Sequence, residues 1–190
     1  ATDPDFSAYR ERLEPNGVLS MTRWHQDPPD QLLRLVALGR QALAERGVGD
    51  AARHFVVVRG PHEGMPLTSA TVLLKRSAFS TEEVARIEAY ARREQLALLY
   101  TPRTRPPNDL TRLVTARDPT RFWRTFPSDI SPPRDNSPFF FQTARLGNVF
   151  SKHWSVGEWR RTNLGTLVLF GLVGITLLVV VAFILGPLFV

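Results

Sequence analysis

Apolar and polar positions along the chain change period several times, and each change marks an element. Residues 4–14 set Phe6, Tyr9 and Leu13 on one helical face, and Glu14-Pro15-Asn16-Gly17 carries the turn chemistry that ends such a helix. Val18-Leu19-Ser20-Met21-Thr22 is short, β-tolerant and mostly apolar, which predicts a strand covered on both faces of a sheet, with Arg23, Trp24 and His25 at its end. Pro28 and Pro29 then open a helix whose Leu32, Leu33, Leu35, Val36, Leu38, Ala42 and Leu43 form a wide apolar stripe, stopped by Gly47.

The stretch 54–59 holds the central-strand run Phe55-Val56-Val57-Val58, and 70–75 holds Thr71-Val72-Leu73-Leu74. A polar loop with Gly and Pro separates them, so the spacing predicts an antiparallel pair. Ser80 and Glu83 stand at capping-box spacing, and Val84, Ile87 and Ala91 continue at helical period. Leu96 to Tyr100 is a last strand candidate, followed by a loop, TPRTRPPND, and two short helical pieces over 110–116 and 120–126. The alternation predicts an α/β layer architecture with a mainly parallel sheet. With about four strands, and a helix rather than a strand in front of the first, the pattern reads like the second half of a domain.

From Leu164 the character changes. The run LGTLVLFGLVGITLLVVVAFILGPLFV, 27 residues to Val190, has no formal charge. As a helix it extends ~40 Å, beyond the ~30 Å hydrocarbon core of a bilayer. The remaining chain is too small and too charged to bury such a helix on all sides, so 162–190 is predicted to cross a membrane. Lys152, His153, Arg160 and Arg161 lie just before it, among Phe150, Trp154 and Trp159. Tryptophans favour the interface and Lys or Arg the cytoplasmic side, which places residues 1–160 in the cytoplasm, at the inner membrane. Leu146, Val149, Phe150, His153, Trp154 and Gly157 share one helical face, so 146–161 is expected as a membrane-proximal amphipathic helix. The apolar run sits at the wrong end for a secretory signal. It is expected to serve as a tail anchor or to lead into further transmembrane helices.

Composition narrows the chemistry. Without cysteine there is no disulfide framework, thiol nucleophile or thiolate metal site. His25, His54, His62 and His153 are scattered without HxxxH or HExxH spacing, so no metal site is expected. The net charge of +6 comes from arginines interleaved with acids, a solvated surface rather than a nucleic-acid stripe. Gly47-Val48-Gly49-Asp50-Ala51-Ala52 fits GxGxxA, but it leaves a helix and enters a strand, the reverse of a phosphate-cradling turn. Gly47 is therefore read as a helix C-cap. Arg23, Trp24 and His25 are the substrate-pocket candidates, because ligands of open α/β sheets bind beyond the carboxyl ends of strands. The loop from Asp129 to Phe141, which joins a Pro-rich turn to three phenylalanines, is read first as an anchor on the domain or at the membrane surface.

The order GVLSMTRW, HFVVVRG, TVLLKRSAFSTEEVARIEAYA, LALLY and RFWRTFPSDISPPRDNSPFFF, followed by an apolar helix, resembles the later part of the membrane-bound spermidine synthase-like proteins. These join a class I S-adenosylmethionine-type transferase domain to transmembrane helices. The likeness spans nearly the whole chain and is most specific at 121–141. It implies a partial Rossmann-like domain over 1–145, the C-terminal half of a methyltransferase or spermidine synthase-type sheet, with strands 55–58 and 71–75 as its closing antiparallel hairpin. In the complete protein it implies S-adenosylmethionine or decarboxylated S-adenosylmethionine as cofactor, and a polyamine or other small molecule as acceptor. Asp129, Asp135, Pro138 and Phe139 fall in the family-motif loop. Where the family often has Thr-Asp-Asp-Arg-Pro-Phe-Phe, this chain keeps Asp135 but lacks the second acid and the Arg. The family's glycine-rich turn, ribose-binding acid and acidic catalytic loop belong to an earlier half and are not identifiable here. No catalytic residue is assigned, and the chain alone is expected to be inactive. The alternative is a non-enzymatic, tail-anchored cytoplasmic module that binds a protein partner through the aromatic loop or the membrane-proximal helix.

Overall fold

The computed structural model describes residues 14–61, 68–133, 140, 143 and 145, the backbone of 156–185, and side chains there at 165 and 168–183. The expected opening helix over 4–14 lies almost wholly outside these residues, as do positions 146–155 of the expected amphipathic helix. The chain forms two compact units, Ala1–Thr143 and Ala144–Val190.

Among the described residues the first unit is built on four strands: β1 (Val18–His25), β2 (Phe55–Arg59), β3 (Thr68–Lys75) and β4 (Ala97–Tyr100). Helix α1 (Asp30–Ala44) connects β1 to β2, and α2 (Thr81–Arg93) connects β3 to β4. Two short helices, α3 (Asp109–Thr115) and α4 (Pro119–Thr125), follow. The strand order is β1-β3-β2-β4, and every hydrogen-bonded neighbour pair is antiparallel. This corrects the expectation of a mainly parallel sheet. Strands β1 and β2 do run in one direction, since each is antiparallel to β3, but β3 lies between them. Alternating periods report a helix linking two codirectional strands; they do not report that a hairpin returns into the gap.

Register turns the sheet into side-chain rows, because directly opposed residues share a face. On the α1 face these are Leu19, Leu74 and Phe55, then Met21, Val72 and Val57, then Arg23, Ala70 and Arg59. The first two rows pack with Leu32, Leu35, Val36 and Leu43 of α1 into the main core. Gly39 permits that approach: a Cβ there would lie 2.9 Å from the Phe55 ring. The opposite face is covered only in part. Val56, Phe79 and Val84 form a smaller cluster beside α2. On that face of β1, Val18, Ser20, Thr22 and Trp24 are exposed. A strand covered on both faces was expected; its alternation of Ser20 and Thr22 with Leu19 and Met21 instead gives one wet face.

The ends of the helices follow local chemistry. The Gly47 amide meets the Ala44 carbonyl at 2.9 Å and the Val48 amide the Leu43 carbonyl at 3.1 Å, with Gly47 at φ 72°. This is the double bond of a Schellman cap, in which glycine takes the left-handed conformation without steric cost. The GxGxxA stretch therefore carries α1 through a 3-10 turn, Ala51–Arg53, into β2. At α2, Ser80 and Glu83 exchange both bonds of the capping box. Glu83 also accepts from the buried Lys75 ammonium at 2.6 and 2.7 Å. His54 belongs to this scaffold, its Nδ1 lying 3.1 Å from the Lys75 carbonyl oxygen.

The second unit contains α5 (Val156–Val180), which continues as a π-helical turn over Val181–Leu185. Every described side chain from 168 to 183 is exposed. Among the described residues no helix is long and apolar enough to cross a membrane. Those sixteen positions span about 24 Å at helical rise.

Candidate functional site at the carboxyl ends of β1 and β2

Beyond the two apolar rows, the α1 face of the sheet turns polar. Arg23 and Arg59 flank Ala70 in the third row, and His25 faces Thr68 in the fourth. The change occurs where β1 and β2 both end, so the carboxyl ends of two codirectional strands meet at one polar edge. Helix α1 starts five residues after His25 and runs back over the sheet, which brings its first turn to the same edge.

That first turn carries two buried charges. Asp30 is 5% exposed and Arg34, four residues on and hence on the same helical face, is 1% exposed. Arg34 spends its donors on the segment after α4. Its Nε donates to the Ser131 carbonyl at 2.8 Å, Nη1 to the Phe140 carbonyl at 2.7 Å and Nη2 to Asp129 Oδ2 at 3.1 Å. Burial pulls the guanidinium pKa down, and the charges of Asp129 and Asp30 oppose that pull. Asp129 fixes its own turn as well: Oδ1 accepts from the Ser131 amide at 3.1 Å and from the Ser131 hydroxyl at 2.5 Å. The Asp129 amide donates to the Thr143 carbonyl at 2.7 Å. The loop is thus sewn to α1 by a planar, five-donor side chain that reads two carbonyls and a carboxylate together.

Asp30 is the opposite case. Desolvation raises its pKa to about 6, against the weaker pull of the Ser128 and Thr143 hydroxyls and of Arg34. Neither carboxylate oxygen has a hydrogen bond of good geometry, and Ser128 Oγ is likewise unsatisfied. The hydroxyl contacts are therefore long and weak, and the carboxyl is held mainly by burial.

The sequence candidates divide. Arg23 lies within β1, donates from Nη1 to the Thr22 carbonyl at 3.0 Å and stands 5.6 Å from the centroid of the Phe140 ring. His25 shares its face. Trp24, 58% exposed, alternates to the other face and does not join them. Asp129 is the Arg34 partner, whereas Asp135, Pro138, Phe139, Lys152 and Trp154 lie outside the described residues. Trp159, Arg160 and Arg161 lie on α5 with only their backbone described.

Three site residues were missed: Asp30, Arg34 and Arg59. The signals were present. Asp30 and Arg34 interrupt the apolar stripe of α1 at a spacing of four, and Arg59 continues the in-facing alternation of Phe55 and Val57.

Comparison of the chain with protein-family models, curated proteins and solved structures gives no match.

Proposed function

We propose that this chain is one wall of a membrane-anchored, spermidine synthase-like transferase, which moves an aminopropyl or methyl group from a sulfonium nucleoside to an acceptor. The observation that carries the reading is the β1-α1-β2 unit with β3 inserted antiparallel between its strands, both codirectional strands ending at one polar edge. Ligands of open α/β sheets are bound at such carboxyl edges. Beside it, the resemblance at 121–141 takes in Asp129, Ser131 and Phe140, the partners of Arg34 on α1.

The chemistry required of the complete protein is a displacement. The acceptor's lone pair attacks the carbon next to the sulfonium, the new bond to carbon forms as the carbon–sulfur bond breaks, and the thioether departs with the electron pair. The acceptor's proton passes to a carboxylate base. Here the β1 and β2 ends hold the acceptor in line. The nucleoside-binding wall and the base belong to a part of the enzyme with no identifiable counterpart in this sequence, so the chain alone is inactive.

The apolar helix supplies the tether. Its described side chains present Leu, Val, Ile and Phe around the whole circumference, which suits lipid rather than water. Thr176 returns its hydroxyl to the Leu172 carbonyl at 2.9 Å, so this polar group needs no outside partner.

The test is equilibrium dialysis of the complete protein in detergent against labelled S-adenosylmethionine and, separately, its decarboxylated form. Saturable binding of one of the two is expected. Binding of neither overturns the transferase reading and favours a protein-interaction module.

A further inference from the structure

The third row of the sheet holds an arrangement that the fold itself does not need. Arg23 on β1 and Arg59 on β2 oppose the same residue, Ala70 on β3, so both side chains rise from one face with a methyl group between them. Their backbones are two strand spacings apart, about 9–10 Å, a gap two arginine side chains can close. Ala70 is 1% exposed and forms the floor. Behind it lies the apolar row of Met21, Val72 and Val57, and in front the buried Thr68.

Among the described residues neither guanidinium is neutralised. Among the described residues Arg23 and Arg59 enter no ion pair, and the Nε of each is buried without a hydrogen-bond partner. Of the described carboxylates near this edge, Asp129 is taken by Arg34, and Asp30 is buried beside Ser128 and Thr143. Two cations rising from one row, each with an orphaned buried N–H donor, are costly unless an anion meets them. The ring of Phe140 holds the Arg23 side chain by a cation–π contact and brings no countercharge.

We infer that Arg23 and Arg59 form a two-armed clamp for an oxyanion, so that the group accepted at this edge carries a carboxylate or phosphate. Arginine forks match both anions in plane and in spacing. A bare polyamine, wholly cationic, is repelled by the same pair. The inference rests on the transferase reading only for calling this molecule the acceptor; the clamp itself stands on the strand register.

The experiment is equilibrium dialysis of the full chain in a phosphate-free detergent against radiolabelled inorganic phosphate at fixed ionic strength. Saturable binding of about one phosphate per chain is expected, displaced by succinate and not by spermidine. R23Q and R59Q should each weaken it at least tenfold, and R105Q, on an exposed loop, should leave it unchanged. A70L fills the floor without touching either charge and should abolish binding; thermal melts check that each variant is folded. Phosphate binding that is non-saturable, or unchanged in R59Q and A70L, overturns the clamp. Repeating the measurement in phosphatidylglycerol nanodiscs separates sources: loss of free-phosphate binding there makes the occupant a lipid headgroup, and retention makes it a soluble anion. Phosphate binding without nucleoside binding leaves the clamp standing and removes the transferase; the reverse removes the clamp alone.

Discussion

Arg34 and Asp129 are separated by 95 positions in the chain and by 3.1 Å in the fold. The pair joins the first turn of α1 to the segment that follows α4, and the same guanidinium closes on the Ser131 and Phe140 carbonyls. Removing it strands a carboxylate and two carbonyls together. Arg34→Ala is therefore expected to destabilise the first unit by about 3 kcal/mol. Arg34→Lys keeps the charge but loses the fork and should cost roughly half as much. Arg93→Ala, which breaks an exposed pair with Glu94, should stay within about 1 kcal/mol. Urea unfolding in mild detergent measures all three; equal effects for Arg34 and Arg93 would contradict the clamp role.

Asp30 sets a pH dependence of definite sign. Its folded pKa of about 6 lies above the ordinary 3.8, so between these values the folded state binds more protons than the unfolded one. Its contribution to stability is greatest at low pH, declines as pH rises from about 4 to 6 and is flat above. The total is roughly 3 kcal/mol at 1.36 kcal/mol per unit. Glu82, Glu83 and Glu88, whose pKa values are lowered, act in the opposite sense and lose stability as pH falls. The difference between the native chain and Asp30→Asn isolates the one group: the variant should be the more stable at pH 8, with the advantage shrinking toward pH 4. Parallel melting curves from pH 4 to 8 would show that the carboxyl is not desolvated.

The legible parts of this fold are those whose cause is local. The capping box at Ser80 and Glu83, the glycine cap at Gly47 and the β2-β3 hairpin each need only a few neighbouring residues, and each formed as its spacing predicts. What the chain did not disclose is pairing at a distance. Nothing near Arg23 says that Ala70 will lie opposite it, and nothing near Ala70 says that Arg59 will lie on its other side. Arg23, Trp24 and His25 looked like one cluster because they are consecutive, although a period of two separates Trp24 from the other two. Arg34 was hidden by a stripe that is apolar on average; its partners lie about a hundred positions downstream.

The proposed membrane anchor makes its own prediction. Leu172, Ile175 and Leu178 are 61%, 61% and 70% exposed on α5. With these side chains in hydrocarbon, the chain should remain with membranes washed in alkaline carbonate. Glutamate at all three positions adds charge costing several kcal/mol in a bilayer centre and should release it. Release of the native chain by the same wash would sink the anchor.

The central claim is that ligands are received where β1 and β2 end. Hydrogen–deuterium exchange of the complete protein in detergent, with and without saturating S-adenosylmethionine and phosphate, tests it most directly. Protection should rise over residues 23–31, 59–61 and 128–133, with little change in α2 or β4. Protection centred on α2 and β4, or none at the strand ends while ligand is demonstrably bound, would contradict the account.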